Sequence, residues 1–260
     1  MKTYKTLIFL LLCTFSSVCY SQKGTFQAEI EAGLSNPILG YSDAEFNEDN
    51  YISGLLPIDG GSANPGLMAS VNLNYFLSES IAISGKFGFR EHSNQALFRE
   101  TLFEDYLGDD LLEYENTGGN WLANDICLGT AFLFKSKNNK FSFDFSVLPG
   151  ITLFTRTLEQ EVLVYSDLST DEFTTSEISG SAFLIHSRIG VNYHIQKWNI
   201  GVFGSFRNVF NSGFVYDLES VYITSNSIFT VQSLNPQSFS LTTLDLGLKI
   251  GYSFVKPSKQ

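Results

Sequence analysis

Residues 244–254 read Leu-Asp-Leu-Gly-Leu-Lys-Ile-Gly-Tyr-Ser-Phe, an unbroken alternation of apolar residues with small or polar ones. A period of two places the apolar side chains on one face of an extended strand and Asp245, Gly247 and Lys249 on the other. About ten residues of tilted strand are enough to cross a bilayer. This stretch therefore predicts a strand with one apolar face and the length of a membrane-spanning strand.

The same alternation recurs in seven further segments, whose apolar faces start at Phe26, Ala69, Ile81, Ile126, Phe141, Ile185 and Trp198. The connections between segments are short at 76–80, 135–140 and 196–197, and long at 35–65, 91–120, 156–180 and 208–237. Short turns at one end and long loops at the other are typical of transmembrane barrels. We predict an all-β fold, an eight-stranded antiparallel up-and-down transmembrane β-barrel, and no amphipathic helix.

Two of the long connections contain strand-like stretches of their own. Residues 161–165 and 172–175 flank a polar turn, and 221–224 with 228–232 form a similar pair. Such pairs predict hairpins that stand above the membrane. If either pair entered the wall instead, the barrel would have ten strands.

The polarity of the two faces separates a membrane barrel from a soluble, lipocalin-like one, which turns its apolar face inward. The polar face here is small and rich in Gly and Ser, which suits the narrow interior of an eight-stranded barrel. The apolar face ends in aromatic residues at the short-turn rim, as an interfacial girdle does: Tyr75, Phe132, Phe134, Phe141, Tyr193, Trp198, Tyr252 and Phe254. The membrane barrel is the favoured interpretation, and the soluble barrel is its alternative.

The N-terminus has the pattern of a targeting segment. Lys2 and Lys5 precede an apolar run at 7–15 that is too short to span a bilayer as a helix, and small residues follow it. We predict a cleaved signal peptide over 1–21 and an outer-membrane β-barrel domain over 22–260. Only Cys127 of the three cysteines would remain, so neither a disulfide framework nor a CxxC metal site is expected.

The formal net charge is −11, and it becomes −13 when Lys2 and Lys5 leave with the signal peptide. This acidity argues against nucleic acid as a partner, because phosphate binding needs a basic face. The polar strand faces nevertheless carry five acids and five bases. Since buried charges are tolerated when paired, we predict a lumen ion network of Glu29, Glu31, Lys86, Arg90, Asp125, Asp144, Arg188, Arg207, Asp245 and Lys249.

The remaining charge is divided between the two ends of the predicted barrel. The four long loops hold 21 acids against Arg99 and Arg156, whereas the short turns and chain ends hold seven lysines against Glu79. Residues 43–49 place carboxylates at alternate positions, as calcium loops do, but lack the Gly and the final Glu of an EF-hand. A second acidic cluster comprises Glu104, Asp105, Asp109 and Asp110. Solvated loops are the favoured interpretation, so we predict no metal site. Binding of divalent cations at these acidic loops is the alternative.

The last strand also carries a family resemblance. Its run of alternating residues, with Gly247, Ile250, Tyr252 and Phe254, resembles the signal by which outer-membrane barrels are recognised for assembly. Together with a leader ending in Tyr-Ser-Gln, the chain is similar to small outer-membrane β-barrel proteins of Bacteroidetes, including PorT-like ones. The resemblance implies a Gram-negative outer membrane and the barrel assembly machinery as a partner. It carries over no functional residue, although some relatives assist secretion.

Enzymatic activity would require a histidine near the outer rim, as in outer-membrane deacylases and proteases. His186 and His194 are eight residues apart on one strand, about 26 Å, so they cannot share a site. His92 lies between Glu91 and Ser93 at the start of a long loop, but these residues match no deacylase motif. We therefore predict no enzyme, no catalytic residue and no cofactor.

These observations lead to one leading functional interpretation and two alternatives. The leading one is a non-enzymatic, porin-like outer-membrane protein of the cell envelope. It would act through long acidic loops, with outer-membrane lipid and lipopolysaccharide as partners. The alternatives are a PorT-like secretion or assembly accessory, and a lipid-modifying or proteolytic enzyme. Since the lumen of eight strands is filled by side chains, an open pore is not expected.

Overall fold

A computed structural model describes residues 24–38, 45–46, 58–59, 63–210, 212–224, 227–239 and 241–254. The predicted signal peptide, 1–21, lies outside the described residues. The elements in chain order are β1 (Phe26–Ile38), β2 (Glu45–Phe46), β3 (Ile58–Asp59), β4 (Gly66–Phe76), β5 (Ile81–His92), α1 (Ala96–Leu107), a short 3-10 helix (Gly108–Asp110), β6 (Leu111–Gly118), β7 (Trp121–Lys135), β8 (Phe141–Arg156), β9 (Glu159–Tyr165), β10 (Thr170–Thr175), β11 (Ile178–Ile195), β12 (Trp198–Phe210), β13 (Ser212–Thr224), β14 (Ser227–Phe239) and β15 (Thr242–Phe254).

Eight of these strands form a closed antiparallel barrel in the order β1-β4-β5-β7-β8-β11-β12-β15, and β15 pairs back with β1. Each barrel strand neighbours the barrel strand that precedes it in the chain, so the predicted eight-stranded up-and-down barrel is confirmed. The ten-strand alternative is wrong, because the extra strands pair outside the wall. Phe26 lies opposite Phe254, so the first and last described strands begin and end at the same rim as the short turns.

The strand registers fix the tilt of the barrel. Partners followed once around the wall from Phe26 return to β1 at Asn36, ten residues further along the strand. Eight strands with a shear of ten tilt by about 40° and enclose an interior that side chains can fill. The lumen is therefore a packed core, and its residues can contact one another across the barrel axis.

The two faces of the wall have the polarity that the sequence pattern predicts. Outward-facing apolar side chains are exposed, as at Ile30 (60%), Leu246 (70%) and Leu128 (64%). The inward faces hold buried charged side chains, such as Glu31 and Arg90, each 0% exposed. A soluble barrel would show the reverse distribution. We call this arrangement, with apolar side chains outside and polar side chains inside, the inverted polarity of the wall.

The long connections form a second body of structure at the end of the barrel opposite the short turns. Five of their strands make an antiparallel sheet in the order β14-β13-β10-β9-β6, which we call the outer sheet. Both predicted hairpins are present: Val164 pairs with Thr170, and Val221 pairs with Thr230. The second hairpin is longer than the sequence indicated.

The sequence pattern indicated no amphipathic helix, and it did not reveal the helix α1, whose apolar residues do not form one regular stripe. Residues 96–107 form α1, which packs the fully buried Phe103 and the partly buried Leu107 into an apolar cluster beneath the outer sheet. The period-two pattern dominates the chain, and this single 12-residue helix in a long loop was hidden by it. None of the helices in the described residues is long and apolar enough to cross a membrane.

Candidate functional site

The barrel lumen is the most polar buried region of the described structure, and its charges divide into two neutral clusters. The lower cluster, nearer the short turns, contains three acids and three bases: Glu29, Glu31, Asp144, Lys86, Arg188 and Lys249. The upper cluster contains two acids and two bases: Asp125, Asp245, Arg90 and Arg207. Each cluster has a net charge of zero. Burial of ions in a low-dielectric interior requires such pairing.

Arg188 of β11 organises the lower cluster. Its guanidinium donates to Asp144 Oδ1 at 2.7 Å, to Glu29 Oε2 at 3.2 Å and to Glu31. Lys86 Nζ lies 2.8 Å from the other oxygen of Glu31, and Lys249 donates to Asp144. Glu29 and Glu31 are on β1, which is three strands from β11 by way of β12 and β15 and five strands away in the other direction. These ion pairs therefore cross the lumen.

Asp125 and Asp245 are the centres of the upper cluster. Arg207 approaches Asp125 through two nitrogens, at 2.9 Å from Nε and 3.0 Å from Nη2, and Arg90 also donates to Asp125. Arg90 Nη2 lies 2.7 Å from Asp245, which accepts further hydrogen bonds from Ser35 at 2.6 Å and from Ser205 at 2.9 Å. The sequence indicated one network, but it could not resolve which acid pairs with which base.

His186 lies on β11 between these clusters, two residues from Arg188. It is fully buried, and neither ring nitrogen has a hydrogen-bond partner among the described residues. His194 lies at the short-turn end of the same strand, where its Nε2 is 2.7 Å from Ser142 Oγ. The two histidines do not share a site, and each faces the lumen.

Part of the lumen, beside and above the upper cluster, is apolar, which the alternating pattern did not predict. Inward-facing residues of the barrel join side chains of the outer sheet and α1 in one buried cluster, which we call the apolar cap. Its large members are Trp121, Leu148, Phe154, Leu184, Phe103, Leu163 and Phe173. The signal was available in β8, where Leu148 and Phe154 are apolar residues on the inward face and therefore need apolar contacts.

Polar residues form a collar between the barrel and the outer sheet. Glu159 accepts hydrogen bonds from Asn94 and Arg156, and Asn116 Nδ2 lies 3.2 Å from its Oε1. Glu161, fully buried, accepts a hydrogen bond of 2.7 Å from the hydroxyl of Tyr114. Two acids of the long loops are thus part of the packed structure, not of a solvated surface.

The outer sheet is acidic at its exposed turns. Ser169, at the β9–β10 turn, donates from its hydroxyl and its backbone N–H to Asp167 Oδ1. These hydrogen bonds lower the pKa of the Asp167 carboxyl, so the turn keeps its negative charge at neutral pH. The exposed Glu104, Asp105, Asp109 and Asp110, in α1 and the 3-10 helix, add further negative charge at this end of the molecule.

The candidate catalytic residues do not assemble. Glu91 is exposed while His92 is buried, because consecutive residues of β5 point to opposite faces. His92 Nδ1 lies 3.0 Å from the backbone oxygen of Asn64, and Ser93 is exposed. The described residues therefore form no Ser/His/Glu arrangement at this rim.

The candidate cation and thiol residues that the structure describes form no site either. No group of three or more His, Cys, Asp or Glu side chains that could hold a metal ion occurs among the described residues. Most of the acidic run at 43–49 lies outside that part of the chain. Cys127 is a buried free thiol facing the lumen beside Gly150. Its small side chain fills space there, as a structural cysteine does.

The proposed assembly strand and the aromatic girdle meet at the short-turn rim. Tyr252 contacts both Trp198 and Phe254 with ring centroids 4.9 Å apart, and Phe141 contacts Tyr193 at 5.1 Å. Ile250, Tyr252 and Phe254 lie on the outward face of β15, and Gly247 lies on its inward face. The outward residues are therefore accessible along the wall.

No family model and no curated protein matches the chain. Among solved structures, Ail, the attachment invasion locus protein of Yersinia pestis, is 10% identical with a TM-score of 0.37, covering 89% of this chain and 99% of that one. Neisserial surface protein A is 10% identical with a TM-score of 0.38, covering 89% and 100%. The outer membrane protease OmpT from Escherichia coli is 9% identical with a TM-score of 0.31, covering 88% and 97%. Because all three TM-scores lie below 0.5, no argument about family or function rests on them, and the Bacteroidetes, PorT-like membership stays a prediction.

Proposed function

We propose that this chain is an integral outer-membrane protein of a Gram-negative bacterium. It acts without catalysis and presents a folded, acidic outer sheet at the cell surface for structural support or for binding a partner. The observation that carries the proposal is the inverted polarity of the wall. Exposed apolar side chains surround a lumen whose ten charged residues are buried and paired.

The membrane location is supported by the free-energy cost of exposing the apolar outward face to water. In water, the outward face would expose a continuous apolar surface far larger than the few hundred Å² that soluble monomers show. In a bilayer the same face is solvated by acyl chains, and every wall backbone group is paired because the sheet is closed. The aromatic girdle at the short-turn rim supports the same placement.

The outer sheet supports the binding or structural role. It is covered below by the apolar cap and held by the collar hydrogen bonds, so it is a defined surface with a fixed shape. The two neutral ion clusters and the apolar cap together fill the lumen beneath it. Function is therefore assigned to the surface of the outer sheet and not to transport through the barrel.

The orientation can be tested with two single cysteines in a chain whose Cys127 is replaced by Ser. Leu168→Cys lies in the 75%-exposed tip of the β9–β10 turn, and Asn138→Cys lies in the exposed turn between β7 and β8. An impermeant maleimide added to intact cells should label Leu168→Cys, while Asn138→Cys should require permeabilised outer membranes. Labelling of both sites in intact cells, or of neither, would contradict the proposal.

A PorT-like secretion or assembly accessory is the second candidate, and the basic short-turn face favours it. Lys135, Lys137, Lys140 and Lys197 are all exposed there. An accessory that works at the periplasmic face should tolerate deletion of the β9–β10 hairpin, whereas a protein that acts through its outer sheet should not. Secretion of reporter substrates and envelope integrity, measured on the same deletion strains, distinguish the two roles.

A further inference from the structure

The outward face of the barrel wall has a groove beside Gly204 of β12. Between Trp198 and Phe206, the outward-facing positions of β12 carry large apolar side chains except at Gly204, which lies beside Ile189 of β11 and Leu246 of β15. Two adjoining depressions, of about 370 and 530 Å³, share Ile189, Gly204 and Leu246 in their lining. Together they form one apolar channel along the wall, bounded by Phe143 at one end and Phe206 at the other.

Gly204 lies about one membrane leaflet above the aromatic rim. Trp198 pairs with Tyr252 at the aromatic rim, and Gly204 pairs with Leu246, six residues further along both strands. Six residues span about 20 Å of strand, which is about 15 Å of height at a tilt of about 40°. Half of a ~30 Å hydrocarbon core has the same thickness. An acyl chain that runs up the wall from the aromatic rim would therefore end in these depressions, whose lining on β12 runs from Val202 to Phe206.

Positive charge lies directly below the entrance to the groove. Lys140 ends the β7–β8 turn, and Lys197 lies in the β11–β12 turn. The two turns are neighbours, because the backbone oxygen of Lys140 accepts a 2.8 Å hydrogen bond from His194 N. Both lysine side chains are exposed. The backbone oxygen of Lys197 accepts from Ser253 N at 2.9 Å, which fixes this turn against β15.

Resting on the membrane location proposed above, we propose that this wall binds an anionic glycerophospholipid of the periplasmic leaflet. Lys140 and Lys197 take its phosphodiester, and one acyl chain follows the groove up to Gly204. An anionic lipid is the expected occupant because a basic patch, an aromatic interface and an apolar groove at the depth of an acyl-chain end follow one another along neighbouring strands. Basic clusters at a membrane surface attract anionic lipids in proportion to the number of lysines.

The groove can be filled without disturbing the wall. A Cβ at Gly204 would lie 3.4 Å from Leu246 Cδ2, an ordinary contact, so Gly204→Leu should fold. The barrel offers a matched control in Gly85, an outward-facing glycine of β5, where a Cβ would meet only Cys127 O at 4.0 Å. For charge, Lys140→Ala/Lys197→Ala is compared with Arg99→Ala in α1, at the other end of the molecule.

Native mass spectrometry of the full-length mature chain in neutral detergent, with equimolar phosphatidylglycerol and phosphatidylcholine, tests the proposal. The wild-type chain should retain phosphatidylglycerol preferentially. The double lysine variant should lose about thirty-fold in affinity for phosphatidylglycerol, leaving the two lipids equal. Gly204→Leu should weaken both lipids about ten-fold, the equivalent of two displaced methylenes. Gly85→Leu and Arg99→Ala should match the wild type.

Equal retention of both lipids by the wild-type chain would overturn the proposal, as would a dimer whose cross-links map to Leu246 and Ile189. The lysine variant changes no wall residue, so it decides the matter even if Gly204→Leu does not fold. Unheated and boiled samples of every variant are compared on SDS gels. A mobility shift shows that the membrane barrel is folded, so that loss of the lipid site can be told apart from loss of the barrel. A folded barrel without lipid preference refutes only the lipid site.

Discussion

Arg90 and Asp245 lie 155 residues apart in the chain, and their side chains form a 2.7 Å ion pair inside the barrel. Their strands, β5 and β15, are separated in the wall by β4 and β1. The pair therefore ties together parts of the barrel that share no backbone hydrogen bond. It also closes the lumen at the level of the upper cluster, since Arg90 contacts Asp125 of β7 as well.

Removing one member of this pair should destabilise the barrel strongly. Arg90→Met leaves two buried carboxylates with one arginine, and breaking a buried pair in this way costs about 3–5 kcal/mol. The double variant Arg90→Met/Asp245→Leu restores a neutral cluster of Asp125 and Arg207. It should be less destabilised than the sum of the singles by about 1–3 kcal/mol. Urea unfolding from lipid vesicles measures all four states, and strict additivity would contradict the account.

His186 should behave in the opposite way. Because its ring nitrogens have no hydrogen-bond partner among the described residues, His186→Leu removes a buried polar group without breaking a contact. The free energy of unfolding should change by less than about 1 kcal/mol, or rise. His194→Leu is the control, since it removes a 2.7 Å hydrogen bond with Ser142. A loss at His186 as large as that of Arg90→Met would show that this histidine has a structural partner.

The apolar cap should hold the outer sheet to the barrel. Phe103 of α1 is fully buried and lies 5.4 Å from the ring of Tyr114. Phe103→Ala should cost the cap about 3–5 kcal/mol, so that protease cleaves the long connections while the barrel stays folded. Leu112→Ala, at a 63%-exposed position of β6, is the control and should remain resistant. Equal cleavage of both variants would mean that the cap does not secure the sheet.

The last strand should matter more for assembly in cells than for stability. Phe254 and Phe26 are cross-strand partners with ring centroids 5.8 Å apart, and both are exposed on the outward face. Alanine at either position should therefore change refolding into vesicles equally. In cells, Phe254→Ala should reduce the amount in the outer membrane several-fold, and Phe26→Ala should not. Equal cellular losses would argue against an assembly role for Phe254.

The strands could be predicted from the sequence because most of the wall has outward apolar residues and inward small or polar ones. Leu246 and Lys249 are examples of the two kinds. The outer sheet could not be predicted, because its pairings depend on contacts between different loops, as between Thr175 of β10 and Leu218 of β13. Local patterns revealed the two hairpins but not the sheet that joins them.

The ion pairs inside the lumen could not be predicted from the sequence either. Charge neutrality of the inward faces follows from counting residues, but the division into two clusters depends on the shear of ten. That shear brings Arg188 to the level of Glu31, whereas Arg90 reaches the level of Asp245. The apolar cap was missed because Leu148 and Phe154 lie on an inward face that was expected to be polar throughout.

The central claim is that the apolar face of this barrel faces lipid. We would express the chain with its leader, isolate outer membranes and compare unheated with boiled samples on SDS gels. The account predicts a band in the outer-membrane fraction whose mobility shifts on boiling, because a closed barrel resists SDS until it is heated. Recovery in the soluble periplasm, without a shift, would contradict it.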